Sequence, residues 1–411
     1  MTAAKGEGRA AAPTKRRPAA SKSPAASERS GNGTTKAFEA PHRREQETFL
    51  TNLAGATLAR AWRTASWLMG HLPAGPSYRV GGWLAMIGYT ASPTRRRWLR
   101  FNFGHVLGVS PNSPEAHRMA RSAYRNYARY VLELMRLPWL KQDELDRMLE
   151  VRSLEQFVEI YNASDGLVLV AAHLGNNEAA AAGFAKHGIE LNVVGDDSSY
   201  RQLYELFKQQ RESWGMKMIS WRNLRGVFGA LRRHEALVLL VDWGYRIDGI
   251  PVKMFGAWTT LPAGPAILAA KHGSAIVPFS VNRQPDGTFQ AAADEPIHVA
   301  SDSPADLAVA TQKIADALEG HIRPAPEQWY IFKTIWPLTE AEAAELEARH
   351  RAAMANDARG AAPGTAPGPA AQPVDAPAGS WQPPREAGVI AQAAARLDGE
   401  VLESDPPSTL P

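Results

Sequence analysis

The chain has 411 residues and not one cysteine. That excludes disulfide staples, thiolate metal sites and a cysteine nucleophile; a reducing compartment fits the absence without being required by it. No stretch reaches the roughly 18 uncharged, predominantly apolar residues that a membrane-spanning helix needs, and the first residues hold no continuous apolar segment of the kind a cleavable signal peptide carries. Also missing are a Walker-type glycine loop, a Gly-x-Gly-x-x-Gly and a His-Glu-x-x-His, so a nucleotide or zinc enzyme lacks its usual signature. No Gly-x-Ser-x-Gly elbow is present to supply a serine nucleophile.

Charge of either sign is nearly balanced overall, with 46 Lys and Arg against 42 Asp and Glu, but not along the chain. The first 45 residues carry ten basic against four acidic side chains, and residues 351–411 carry four against seven. Both ends are rich in Ala, Pro, Gly and small polar residues. Such segments cannot bury enough apolar surface to offset the entropy of ordering, so both are expected to be disordered, apart from a short helix around 387–397. The reading divides the chain into a disordered basic tail over 1–45, a helical membrane-associating region over 46–160, an α/β core over 161–337, and a helix end with a Pro/Ala-rich tail over 338–411.

Between residues 47 and 91, Leu53, Leu58, Trp62, Trp67, Leu68 and Met69 recur at helical spacing among Arg60 and Arg63, and Trp83, Leu84 and Met86 form a second apolar piece. Trp, Leu and Arg together suit a helix lying in a membrane interface, and equally a helix facing a core. The following Thr94-Arg95-Arg96-Arg97-Trp98-Leu99-Arg100 favours the membrane, because four arginines beside an aromatic anchor match anionic headgroups. No nucleic-acid motif accompanies them, so no nucleic-acid partner is expected. A long amphipathic helix follows over 113–137, opened by Ser113-Pro114-Glu115 as cap, first-turn proline and acid, and closed by Pro138. Shorter helices are expected over 141–149 and 153–161.

From Gly166 the period changes. Apolar runs of four to eight residues (167–172, 191–194, 217–220, 236–241, 274–281 and 288–293) alternate with helical stretches (177–187, 200–214, 223–233, 262–272 and 304–322). This alternation predicts an α/β fold with a mainly parallel sheet covered by helices on both faces. In such sheets ligands collect at the carboxyl ends of the strands. His173 ends the first apolar run, and the loop Leu174-Gly175-Asn176-Asn177 leads to Glu178 at the start of a helix. A histidine with a carboxylate five positions on is a candidate base with its orienting acid, or else a structural histidine at a strand end. Asp242 follows Leu237-Val238-Leu239-Leu240-Val241 directly, so this carboxylate needs a partner; Arg211 is one candidate. Asp196 and Asp197 read as loop and cap residues. The Gly- and Pro-punctuated stretch 249–265 reads either as an apolar lining beside the crevice or as a hairpin covering a sheet edge.

The chain resembles the lipid A late acyltransferases and the mycobacterial phosphatidylinositol mannoside acyltransferases. The motif of that family commonly reads His-x-Gly-Asn-x-Glu or -Asp, as His173-Leu174-Gly175-Asn176-Asn177-Glu178 does. Arg211 with Trp214-Gly215, Asp242, Phe255-Gly256, Pro262-Ala263-Gly264-Pro265-Ala266 and Ala325-Pro326-Glu327-Gln328-Trp329-Tyr330 are similar to its later segments, in order. Asn177, where the lipid A enzymes usually carry an aromatic residue, and Trp243-Gly244-Tyr245 depart from it. The resemblance covers about residues 50–337. It implies transfer of an acyl group from a thioester donor, acyl-CoA or acyl-carrier protein, to a hydroxyl of a glycolipid or phospholipid, at the cytoplasmic face of a bacterial plasma membrane with an anionic surface. No metal or resident cofactor is implied. His173 is then the general base and Glu178 its orienting acid. Gly175, Asn176, Arg211, Asp242, Phe255, Gly256 and Gly264 are expected to bind substrate; Gly175, Asn176 or Arg211 would stabilise the oxyanion, and Asp242 would position Arg211 or the acceptor. Another α/β hydrolase-type enzyme, or a silent lipid-binding protein of the same fold, remains open at this point.

Overall fold

The apolar run before His173 becomes the middle strand of the molecule. The computed structural model describes residues 49–360 apart from 152–153, 187–188 and 196–199. The basic and acidic tails, the short helix expected around 387–397 and the pair Asp196-Asp197 lie outside the described residues.

Four helices come first: α1 (Phe49–His71), α2 (Ala74–Ala91), α3 (Pro93–Leu107) and α4 (Pro114–Arg136). Ser113 caps α4 as its sequence suggests, accepting the Ala116 N–H at 3.1 Å with Pro114 in the first turn. Next come α5 (Gln142–Met148), the short strand β1 (Leu149–Val151) and α6 (Leu154–Ala163). The alternating part follows: β2 (Leu167–Ala171), α7 (Asn177–Lys186), β3 (Leu191–Gly195), α8 (Arg201–Ser213), β4 (Lys217–Ser220), α9 (Leu224–Arg232) and β5 (Ala236–Leu240). A hairpin of β6 (Ile250–Met254) and β7 (Ala257–Leu261) leads to α10 (Gly264–His272), β8 (Ala275–Arg283), β9 (Phe289–Ala293), α11 (Pro304–Ile322) and α12 (Glu340–Gly360).

Seven strands form one sheet in the order β1-β9-β8-β2-β5-β3-β4, parallel throughout except for the β8–β9 pair. The mainly parallel α/β fold read from the alternation is therefore the fold observed. Additions among the described residues include α3, read only as an arginine cluster, β1, read as the end of a helix, and α12, which extends well beyond the expected helix end. Within β2 every side chain is buried, and successive residues serve opposite faces. Val168 and Val170 join a core with α3, α9, α10 and α11, while Leu167, Leu169 and Ala171 join one with α7, α6 and the end of α4. Each fully buried Leu or Val contributes roughly 1.5–3 kcal/mol relative to exposure. Tyr89, Leu99, Phe103, Ala120 and Ala123 belong to the first of these cores, so α2, α3 and α4 are built into the α/β core they precede.

The stretch 249–265 forms a hairpin, as one of its two readings has it, but the hairpin packs against α11 and α12. Ile250, Val252, Met254 and Leu261 are buried in the core, and Trp336 Nε1 donates to the Met254 carbonyl at 3.2 Å.

Candidate active site

Strand register places the central pair of residues. Ala171 of β2 lies opposite Leu240 of β5, and the Val241 N–H extends the ladder to the Ala171 carbonyl at 3.0 Å. His173 and Asp242 each stand two residues beyond those partners, so they leave the carboxyl ends of adjacent parallel strands at one level. The His173 Nδ1 and Asp242 Oδ1 are 2.6 Å apart, and Asp242 Oδ2 accepts the His173 backbone N–H at 2.9 Å. The same oxygen accepts the indole N–H of Trp329 at 2.8 Å. An ionised carboxylate only accepts, which assigns a proton to Nδ1 and leaves the Nε2 lone pair free.

Asp242 is 2 % exposed, whereas the His173 side chain keeps 35 %. Burial alone pulls an imidazole pKa down; the Asp242 carboxylate more than offsets it, and the His173 pKa is raised. Burial likewise favours the neutral form of Asp242, but the charge and hydrogen bond of His173, its backbone N–H and Trp329 together hold the carboxyl pKa below its ordinary value.

The loop after His173 is pinned from one side by a short segment. Tyr330 N–H donates to the His173 carbonyl at 2.8 Å, Gly175 N–H to the Gln328 carbonyl at 3.0 Å, and Leu174 bridges Trp329. Gln328 is fixed in turn, its side chain accepting the Arg283 N–H at 2.8 Å and donating to the Arg283 carbonyl at 2.9 Å. Gly175 has φ +60°, and a Cβ there would lie 1.7 Å from the Val281 carbonyl oxygen. Only glycine fits.

Several expected roles change. Glu178 does not hold the imidazole: its carboxylate is gripped by Arg211, whose Nε lies 2.9 and 3.0 Å from the two oxygens and whose Nη2 adds a further short bond. Glu178 stands at the second position of α7, where the helix dipole favours a carboxylate and the chain turns it toward α8. Asp242, correspondingly, holds His173 and not Arg211. Asn176 is fully buried; its Oδ1 caps α7 by accepting the Ala179 N–H at 3.2 Å and its Nδ2 donates to Glu133 at 3.3 Å. The Gly175 N–H and both ends of the Asn176 amide are thus engaged within the protein. Phe255 and Gly256 form the hairpin turn, where the Phe255 N–H meets Glu319 and its ring lies under Arg323. Gly264 is the first residue of α10. No hydrogen bond recorded among the described residues joins these three to His173 or Asp242.

Other contributors went unassigned. Trp243, 44 % exposed, sets its ring edge-on to the imidazole with centroids 6.0 Å apart. Tyr130 stacks on Tyr330 at 5.4 Å, and Tyr127 packs against both Tyr330 and Phe332, giving an aromatic seam from α4 to the segment that pins His173. The Tyr130 phenol has its pKa raised, first by burial and then by the nearby Glu178 carboxylate, which places the Glu178–Arg211 pair beside that seam. Gln328, Trp329 and Tyr330 stood within one family-like segment; Glu133 and Arg283 had no sequence signal beyond charges in apolar surroundings. Among the described residues no group of acidic and histidine side chains is arranged to hold a metal.

Comparison with known proteins adds an independent line. The sequence profile described as bacterial lipid A biosynthesis acyltransferase matches residues 51–337. A phosphatidylinositol mannoside acyltransferase of Mycolicibacterium smegmatis is 27 % identical over 243 residues, covering 58 % of this chain and 78 % of that protein. Its namesake in Mycobacterium tuberculosis is 28 % identical over 262 residues, covering 61 % and 81 %.

Proposed function

The chain belongs to the bacterial lipid A biosynthesis acyltransferase family and is an acyltransferase acting in lipid biosynthesis, and from that premise we propose a mechanism centred on His173 and Asp242. The observation that carries it is the 2.6 Å bond between His173 Nδ1 and Asp242 Oδ1 at the ends of neighbouring central strands. A hydroxyl of a glycolipid or phospholipid lies against Nε2 and attacks the carbonyl carbon of an acyl thioester. Its proton passes to Nε2, the C–S bond breaks, and the imidazolium returns the proton to the departing thiolate. Asp242 fixes the tautomer and stabilises the imidazolium, as the acid does in a serine-hydrolase triad, but the substrate hydroxyl takes the serine's place. No acyl-enzyme forms in this scheme. General-base catalysis of this kind contributes roughly 10²–10⁴-fold.

The Glu178–Arg211 pair is assigned to positioning the acceptor headgroup at the mouth of the site. The donor is acyl-CoA or acyl-carrier protein, and no metal takes part. We place the enzyme on the cytoplasmic face of the plasma membrane, seated through α1 and α2. No helix among the described residues is long and apolar enough to cross a bilayer. Yet among the described residues half of the exposed large apolar side chains fall between residues 53 and 87, Trp67, Trp83, Leu84 and Ile87 among them. Clustered apolar exposure of this sort marks an interaction surface, and aromatic residues among aliphatics suit a membrane interface.

The test supplies the purified protein with labelled acyl-CoA, acyl-carrier protein and a lipid extract and searches for a new acylated lipid by mass spectrometry. Product is expected from the wild type and not from His173→Ala, with the variant folded and still bound to vesicles. Full transfer by that variant overturns the base assignment.

A further inference from the structure

Away from the histidine, the second half of α2 and the facing sides of α3 and α4 line an open cavity of about 470 Å³. Its walls are basic. Arg96 and Arg100, one turn apart on α3, face His117, Arg121 and Arg125, spaced one turn apart along α4, and Tyr89 of α2 closes a third side. Among the described residues, no carboxylate pairs with any of these four arginines. Neighbouring Arg118, on another face of α4, does have such a partner in Glu115 at 3.1 Å. Arg100 Nη1 lies 2.7 Å from His117 Nε2, and the Nε of Arg100 is buried without a hydrogen-bond partner. Arg96 stands over the Tyr89 ring at 5.8 Å.

Four cations converging without a counter-charge repel one another and weaken the fold that gathers them. Burial and then the charges of Arg100, Arg121 and Arg96 hold the His117 imidazole below its usual pKa. A partner must therefore be anionic, compact and rich in acceptor oxygens. Guanidinium forks match phosphate in this way, each offering two parallel N–H donors. A phosphate offers more acceptor oxygens and up to twice the charge of a carboxylate, which suits donors arriving from two helices.

We propose that the cavity between α2, α3 and α4 is a phosphate-binding site in which Arg96, Arg100, Arg121 and Arg125 grip a phosphate group of a ligand. The phosphate comes either from a lipid headgroup, since Trp83, Leu84 and Ile87 of α2 are exposed nearby in the chain, or from a soluble phosphorylated compound. The site involves no step of the transfer chemistry and stands whether or not His173 is the base.

Isothermal titration of the full-length protein with inorganic phosphate, at ionic strength held constant with chloride, tests it. Saturable binding is expected. Arg121→Gln with Arg125→Gln, and separately Arg100→Gln, should weaken it by about tenfold or more; Arg95→Gln with Arg97→Gln, which removes exposed charges of α3 outside the cavity, should not. Because Arg121 and Arg125 are themselves exposed, the first variant keeps its fold, which circular dichroism checks. Absence of saturable binding, or equal weakening by the Arg95/Arg97 variant, overturns the site in favour of diffuse surface charge. Flotation on phosphatidylcholine vesicles containing phosphatidic acid then separates the two sources. The part of capture that depends on phosphatidic acid, at ionic strength held constant with chloride, is lost in saturating phosphate if the site holds a headgroup and is kept if it holds a soluble ligand; capture through α1 and α2 needs no phosphatidic acid and does not enter the comparison.

Discussion

Arg283, the last residue of β8, and Glu133 of α4 form a buried two-pronged ion pair, with Nε–Oε1 at 2.8 Å and Nη2–Oε2 at 2.7 Å. Their side chains are 4 % and 2 % exposed. Glu133 also accepts from Arg129 at 2.9 Å and from Asn176 at 3.3 Å, so this carboxylate ties α4 to the loop that carries His173. Arg283, through its backbone, holds Gln328, which holds Gly175. The site is thus supported from beneath by a charge pair that touches no substrate.

Breaking that pair on one side leaves a buried charge unmatched, which typically costs about 3–5 kcal/mol. Glu133→Gln should therefore lower unfolding stability in urea by roughly that amount, despite nearly equal volume. Replacing both members together, Glu133→Leu with Arg283→Met, should cost clearly less than the sum of the two single changes. Additive losses would show that the two residues act separately.

The Asp242–His173 bond has a consequence in pH. A base works when neutral, and Asp242 raises the His173 pKa, so the acid limb of kcat/KM lies above that of an ordinary histidine. Asp242→Asn should move the limb to lower pH while cutting the plateau by a factor on the order of 10²–10⁴. Glu178→Gln should lower activity and leave the limb where it is, because Glu178 bonds Arg211. A limb displaced by the Glu178 change and not by the Asp242 change reverses the two roles. The same shifts act on stability. The raised His173 pKa stabilises the fold below the unfolded histidine pKa, an effect lost as pH rises through the folded value. The depressed Asp242 pKa stabilises it above the unfolded carboxyl pKa, an effect lost as pH falls through the folded value.

Two glycines of positive φ separate a steric demand from a conformational one. At Gly256, φ is +78° and a Cβ would meet nothing within 4 Å, so alanine should cost only about 1–2 kcal/mol of backbone strain. At Gly175 the Cβ would strike the Val281 carbonyl, and the His173 loop must move. Gly175→Ala should abolish transfer, and Gly256→Ala should keep most of it. Comparable activity in the two variants contradicts the packing read at Gly175.

Much of this arrangement is legible in the sequence because it is periodic. The apolar runs at 167–172 and 236–241 give buried parallel strands, and a polar residue just past each run gives the site's position. Which residues pair there is not legible, because it depends on register between strands 69 residues apart. Glu178, five residues from His173, draws attention by nearness in sequence, yet a helix begins between them and turns its carboxylate toward Arg211. Trp329 and Arg283 reach the site from strand order and a late segment, which no local pattern encodes. The apolar 249–265 stretch carries the same composition whether it faces a ligand or a core, so only packing decides.

The exposed apolar face of α1 and α2 yields the last expectation. If it seats the enzyme on lipid, polar replacements there should reduce membrane capture without unfolding the chain, since Trp67 and Trp83 are 52 % and 65 % exposed. Burying apolar surface contributes roughly 25 cal/mol per Å², so each tryptophan removed should weaken partitioning by about tenfold or more. Trp67→Ser with Trp83→Ser is expected to shift the protein from floated vesicles to the soluble fraction even with anionic lipid present. Neutralising Arg95 and Arg97 should weaken capture by anionic vesicles more strongly at low salt than at high salt, because surface charge is screened and apolar burial is not. Transfer to a water-soluble acceptor analogue should survive the tryptophan changes, since the exposed face is needed only to reach lipid. Unchanged flotation by the double tryptophan variant would place the membrane contact elsewhere on the molecule.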